Sequence, residues 1–232
     1  MQIHSFLMIG QSNMAGRGNP AEVPPIDGRN IVVFRKALWE PYFSPVNADD
    51  SFSGVSLAES FAVEYRERHK NTNVGLIPCA HGGTTIEMWK KGGPLYENAV
   101  FAARLAMKTS ELKGILWHQG ESDCANDRYV HYKERLCAIV HNLRDDLGCR
   151  DLPFIAGELG DYLPKCNIIK DNFENYAEIN KMIRKLEQEC AFFSFADASE
   201  LEANEDMLHF NAASLRKFGK RYYECYEKLI NE

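Results

Sequence analysis

Five short apolar runs are spread along this chain with helix-period segments between them. They are Phe6-Leu7-Met8-Ile9, Val74 to Pro78, Gly114-Ile115-Leu116-Trp117, Leu152 to Ala156 and Phe192 to Ala196. Runs this short and this apolar suit fully buried strands. Strands separated by helices pair in parallel through right-handed crossovers, which puts helices on both faces of one sheet. The alternation therefore predicts a three-layer α/β sandwich.

The helical segments carry their own boundaries. Ser56 with Glu59 forms a capping-box pattern ahead of Leu57, Phe61, Ala62 and Tyr65, so a helix is expected to about His69. Pro94 in a first turn, with Ala99, Ala102, Ala103 and Ala106, predicts a helix over 94–110. A third is expected over 127–147 with Gly148 as its stop, a fourth over about 172–189, and a last from Ala212 to about Leu229. Ile31 to Phe34 is a further short β-branched run, whereas 17–30, 40–55 and 157–171 read as loops, the first two rich in Pro or Gly. Loops that long in a compact chain are usually functional or mobile. No repeat, low-complexity tract or linker breaks the 232 residues, which reads as one domain over 1–232.

Charge narrows the partners. A net charge of −6 without a basic stripe argues against nucleic acid, whose phosphates demand cations. No apolar stretch approaches a bilayer span, and Met1-Gln2-Ile3-His4 lacks the basic and apolar regions of a signal peptide. The seven cysteines are scattered without a C-x-x-C pair, so reduced thiols in a cytoplasmic protein are the expectation.

In parallel sheets, ligands gather beyond the carboxyl ends of the strands, and here those ends hold polar, glycine-bearing turns. The first is Gly10-Gln11-Ser12-Asn13-Met14-Ala15-Gly16. Taken singly, a serine in such a turn is more often a turn former than a nucleophile. To attack, Ser12 needs a base, and the base needs an orienting carboxylate. His209 with Asp206 three residues before it can supply both from one loop. Oxyanion donors can come from the Ser12 N–H, from Gly82 or Gly83, whose backbones approach closely, and from the amide of Gln119 or Asn13. Met14 stands where the G-x-S-x-G elbow has its second glycine, and no Gly-Lys-Ser/Thr end marks a phosphate loop. His118, Glu121 and Asp123 match no zinc spacing. Trp39 and Trp89 can stack on sugar rings, although tryptophan is more often core.

Four blocks in order, Gly10 to Met14, Pro78 to Thr84 with Trp89, Trp117 to Glu121, and Asp206 with His209, resemble the SGNH-hydrolase superfamily. More narrowly they are similar to its sialate O-acetylesterase-like and family-six carbohydrate esterase branch, which includes acetylxylan esterases. The resemblance implies a flavodoxin-like sandwich with a five-stranded parallel core and serine-dependent deacetylation without metal or cofactor. Ser12 would be the nucleophile, His209 the base, and the Ser12 N–H, Gly82 or Gly83, and Gln119 the oxyanion hole. Asp206 is the favoured orienter, with Glu121 as a second carboxylate near His209. Gln11, Asn13, Arg17 and Trp89 are candidate substrate contacts, Arg17 for a carboxylate such as that of sialic acid. The expected partner is a small-molecule or oligosaccharide acetyl ester. A non-catalytic carbohydrate-binding or scaffold protein with this fold is the competing reading. Ser12-dependent release of p-nitrophenol from its acetate separates the two.

Overall fold

The computed structural model describes residues 1–166, 168 and 173–231. Phe6, Leu7, Met8 and Ile9 are fully buried because their strand, β1 (Gln2–Gly10), is the middle of a seven-stranded sheet. The other strands are β2 (Ile31–Arg35), β3 (Leu38–Pro41), β4 (Thr72–Pro78), β5 (Glu111–His118), β6 (Phe154–Gly157) and β7 (Phe193–Ala196). Their order across the sheet is β3-β2-β4-β1-β5-β6-β7. All neighbours are parallel except β3, which runs antiparallel to β2 at the edge.

From β1 the chain builds outward to one side through β2, β3 and β4, then returns to the other side for β5, β6 and β7. Strand order thus reverses at β1. The crevice at such a reversal is where open α/β sheets bind ligands.

The helices are α1 (Ser12–Ala15), α2 (Leu57–Arg68), α3 (Pro94–Ala106), α4 (Tyr132–Leu147), α5 (Tyr176–Glu189) and α6 (Ala212–Asn231). α2 and α6 pack together over one face of the sheet, while α3, α4 and α5 form the layer on the other. Phe6 shows what holds the first layer down: its ring meets Phe61 of α2 at 4.7 Å, Tyr65 at 4.9 Å and Tyr226 of α6 at 5.3 Å, all edge-on. Burying a side chain of that size contributes about 1.5–3 kcal/mol. The three-layer expectation is met.

Several boundaries differ for physical reasons. The parallel set has six strands rather than five, since Ile31 to Phe34 pairs beside β4. The 40–55 loop begins one element late, because Leu38 to Pro41 returns along β2 as β3. That hairpin turns on Lys36 and Ala37, both at positive φ (49° and 66°), a geometry normally announced by Asn-Gly. Ser56 caps α2 by accepting from the Ala58 N–H, but Glu59 does not close the box: its carboxylate takes Arg216 instead. Residues 126–131 form a tighter 3₁₀ turn before α4, and Gly148 ends α4 in the left-handed conformation as expected. The expected helix start at 172 and part of the 157–171 loop lie outside the described residues. No described helix is long and apolar enough to cross a membrane.

Candidate active site

β1 ends on Gly10, at φ 125°, against the end of β5. A Cβ there would lie 2.1 Å from the His118 carbonyl oxygen, so only glycine permits this bend. The Gln11 N–H then donates to that same carbonyl (2.8 Å), and the chain turns straight into α1 with Ser12 as its first residue. Ser12 is 6% exposed and opens onto a cavity of about 290 Å³. A larger recess of about 690 Å³, near His4, Lys113, Phe192 and Ile230, lies at the opposite strand ends.

The loop before α6 brings a histidine to this serine. His209 Nε2 is 3.0 Å from Ser12 Oγ, and its Nδ1 is 2.7 Å from Asp206 Oδ2. Asp206 Oδ1 accepts from the N–H of Leu208 (2.8 Å) and of His209 (2.9 Å), which fixes the carboxylate against the ring. Burial alone would raise the Asp206 carboxyl. The three donors outweigh it and hold the group below the usual range, keeping it an anion.

Glu121 does not share that ring. It lies 3.2 Å from His118 Nε2 and accepts from Asn13 Nδ2 at 2.5 Å. Burial opposes its ionisation, but His118 and Asn13 win and lower its pKa. Asn13 is correspondingly a clamp. Its Oδ1 accepts from the Phe210 N–H (3.0 Å) and its Nδ2 also reaches the Leu208 carbonyl (3.3 Å), so it grips the chain on both sides of His209. Both of its polar atoms are used in this way, and Asn13 is absent from the cavity wall, so the structure places this candidate substrate or oxyanion contact as a hold on the chain around His209.

The turn after β4 supplies the opposite wall, with His81, Gly82 and Gly83 lining the cavity. The Gly82 N–H is already committed to Asp49 Oδ2 (2.8 Å). A Cβ on Gly82 would lie 2.8 Å from Arg17 Nη2 and 3.6 Å from Ser12 Cβ, which is how closely this turn approaches the serine. Among the described residues the N–H groups of Ser12 and Gly83 meet no acceptor. Gln119 departs from expectation. Fully buried, it aims its amide nitrogen at the Thr84 carbonyl (2.9 Å) and Asp123 Oδ2 (2.5 Å), off the cavity wall. Asp123 also accepts from the Ile86 N–H, and burial raises its pKa past what these donors offset.

Arg17 reaches the cavity but not as a free cation. Its guanidinium grips Asp49 at 3.0 and 2.8 Å and donates to the Gly16 carbonyl (2.9 Å). Burial pushes the Asp49 carboxyl up; Arg17, the Gly82 N–H and the Ser53 hydroxyl together hold it low. Trp89 lies in the core: it is 1% exposed, edge-on to Trp117 at 5.7 Å, and donates to Thr84 Oγ1. Trp39 sits on β3 against Gly75, far from the turns. Gln11 does line the cavity. Residues that motif reading did not single out, Asp49, Asp50, Phe52, Phe173 and Leu208, complete the wall. The length of the 40–55 loop was the only available signal for the first three.

The model of the family described as carbohydrate esterase, sialic acid-specific acetylesterase, matches residues 2–228. A probable carbohydrate esterase of Arabidopsis thaliana is 32% identical over 185 residues, 69% of this chain and 71% of that protein. The X-ray structure of that Arabidopsis protein superposes with a TM-score of 0.84 at 26% identity, covering 97% of this chain and 98% of that one. NanS follows with a TM-score of 0.74 at 18% identity, covering 99% and 98% of the two chains. A carbohydrate acetylesterase from Xanthomonas citri gives 0.74 at 17%, covering this whole chain and 57% of that one. These last two show a shared fold. A carboxylic ester hydrolase by these likenesses, the chain belongs to the sialic acid-specific acetylesterase family of carbohydrate esterases.

Proposed function

We propose that this protein removes O-acetyl groups from an acetylated carbohydrate through an acetyl-enzyme on Ser12. The observation that carries this reading is the relay Ser12 Oγ, His209, Asp206, with links of 3.0 and 2.7 Å, at a cavity beyond the central strands. Ser12 Oγ attacks the acetyl carbonyl while His209 Nε2 takes its proton. The tetrahedral oxyanion collapses, the sugar oxygen leaves with the proton from His209, and the acetyl group stays on Ser12. Water, deprotonated by His209, attacks that ester; acetic acid departs, to ionise in solution, and the proton on His209 returns to Ser12.

Asp206 orients the ring and stabilises the imidazolium formed in both steps. The free N–H groups of Ser12 and Gly83 are the donors best suited to the oxyanion. Glu121 acts through Asn13, which keeps His209 at its distance from Ser12. We further propose that residues 1–232 act as one domain. A cytoplasmic location belongs to the same proposal, and seven free cysteines are consistent with a reducing compartment.

The test is release of p-nitrophenol from p-nitrophenyl acetate, followed by acetate release from acetylated monosaccharides, xylo-oligosaccharides and O-acetylsialic acid. Ser12→Ala should abolish both. Turnover by Ser12→Ala near that of the parent would overturn the serine mechanism.

A further inference from the structure

We propose that this site selects neutral acetylated sugars over acidic ones, and that Asp49, Arg17 and Asp50 set that preference. The inference rests on the esterase reading above and narrows its substrate. Three carboxylates, Asp49, Asp50 and Glu121, line the cavity, and Arg17 is the one lysine or arginine among the described residues that does so. Both terminal nitrogens of Arg17 are engaged by Asp49, in a pair whose side chains are only 5% and 4% exposed. Its remaining Nε is buried and faces no partner. Asp50 is exposed on the rim and has no ion pair among the described residues; its Oδ1 accepts only from the N–H and hydroxyl of Ser51 in its own loop.

A carboxylate on an incoming sugar has two options here, and both cost free energy. It can displace Asp49 from Arg17, which leaves a buried carboxylate without its cation and removes the acceptor of the Gly82 N–H. Otherwise it must sit near Asp50 and Glu121 with no cation to offset them. A neutral sugar meets the opposite situation. Carboxylates only accept hydrogen bonds, and sugar hydroxyls donate them. Phe52, 65% exposed beside the cavity with its ring 5.3 Å from the Arg17 guanidinium, offers an aromatic face to the apolar side of a pyranose. The loop that carries Phe52 is tied down, since Ser53 donates to Asp49 (2.9 Å) and the Ser53 N–H donates to the Asp50 carbonyl (3.2 Å).

The decisive comparison is acetate release from O-acetylsialic acid and from its methyl ester, which share one ring and differ in one charge. A neutral acetylated methyl xyloside serves as the third substrate, and Ser12→Ala as the blank. The methyl ester should show kcat/KM about tenfold above the free acid, between the limits for a like-charge contact in water and in a partly buried site. Raising the salt concentration should narrow the gap, and Asp50→Asn should narrow it further. A free acid turned over as fast as its ester, or a gap unmoved by both salt and Asp50→Asn, would overturn the proposal. Binding of the same three sugars to Ser12→Ala, measured by calorimetry, separates the two levels. A preference for the neutral sugars without turnover by the parent enzyme would keep the selection and remove the serine chemistry; equal binding would remove the selection itself.

Discussion

Replacing Asp206 by alanine is the sharpest perturbation this geometry offers. The carboxylate accepts three hydrogen bonds, from the His209 ring at 2.7 Å and from two backbone N–H groups at 2.8 and 2.9 Å. Its side chain is 25% exposed, so water can replace part of what is lost at the backbone. A net stability cost of about 2 kcal/mol is expected, below the sum of three fully buried charge-assisted bonds. The kinetic cost is larger. Without the anion the ring is free to turn and the imidazolium formed during attack is uncompensated, which costs serine hydrolases about 10⁴-fold in kcat. The assay is the initial rate of p-nitrophenyl acetate hydrolysis, with thermal unfolding measured on the same samples. Glu121→Ala, run in parallel, should lower stability more than Asp206→Ala does and lower kcat less, because its link to His209 passes through Asn13. If Asp206→Ala keeps kcat within about tenfold of the parent while Glu121→Ala loses it at about the 10³-fold level, the assignment of the orienting carboxylate is wrong.

Asn13→Ala removes the acceptor of the buried Phe210 N–H and a donor to Glu121, and should cost about 2–6 kcal/mol in chemical unfolding, at about 1–3 kcal/mol per orphaned group. Gln119→Ala should lower the melting temperature yet leave the kcat of the folded enzyme within about tenfold; a loss of about 10²- to 10³-fold without destabilisation would place its amide on the oxyanion after all. Gly82→Ala drives a methyl group against Arg17 Nη2 and should lower kcat by at least about tenfold, the size of one disturbed oxyanion contact or less; unchanged kinetics would show that the turn can yield. Asp206 and Asp49 both have depressed folded-state pKa values, so their stabilisation is complete above the unfolded carboxylate value near about pH 4 and is lost as pH falls through the lower folded values. Urea unfolding of the parent and of Asp49→Asn should therefore converge on acidification below about pH 4 and differ by a constant amount above about pH 6.

The strands and the pairing of Asp206 with His209 were legible in the sequence because both depend on local pattern. Phe6 to Ile9 is apolar on both sides, as a central parallel strand must be. Asp206 and His209 lie three residues apart, so one loop suffices to join them. What stayed hidden depends on long-range contact. Nothing near Lys36-Ala37 marks a hairpin, so the sequence does not announce β3. Gln119 carries the right residue type at the right strand end, yet Asp123 and Thr84 capture its amide nitrogen, and only the fold shows that. Arg17 met Asp49 from 32 residues away, and the charge that looked free to bind a carboxylate was already spent. Trp89 followed the commoner fate of its residue type and went into the core.

The clamp of Asn13 on Leu208 and Phe210 joins the beginning of the chain to its end, across 195 and 197 positions. Ser12 and His209, 197 positions apart, therefore meet only when the last loop has closed over the first turn. Ester hydrolysis is in that sense a report on topology. During refolding, recovery of activity should trail the appearance of sheet and helix signal, and its rate measures the final closure of the chain upon itself.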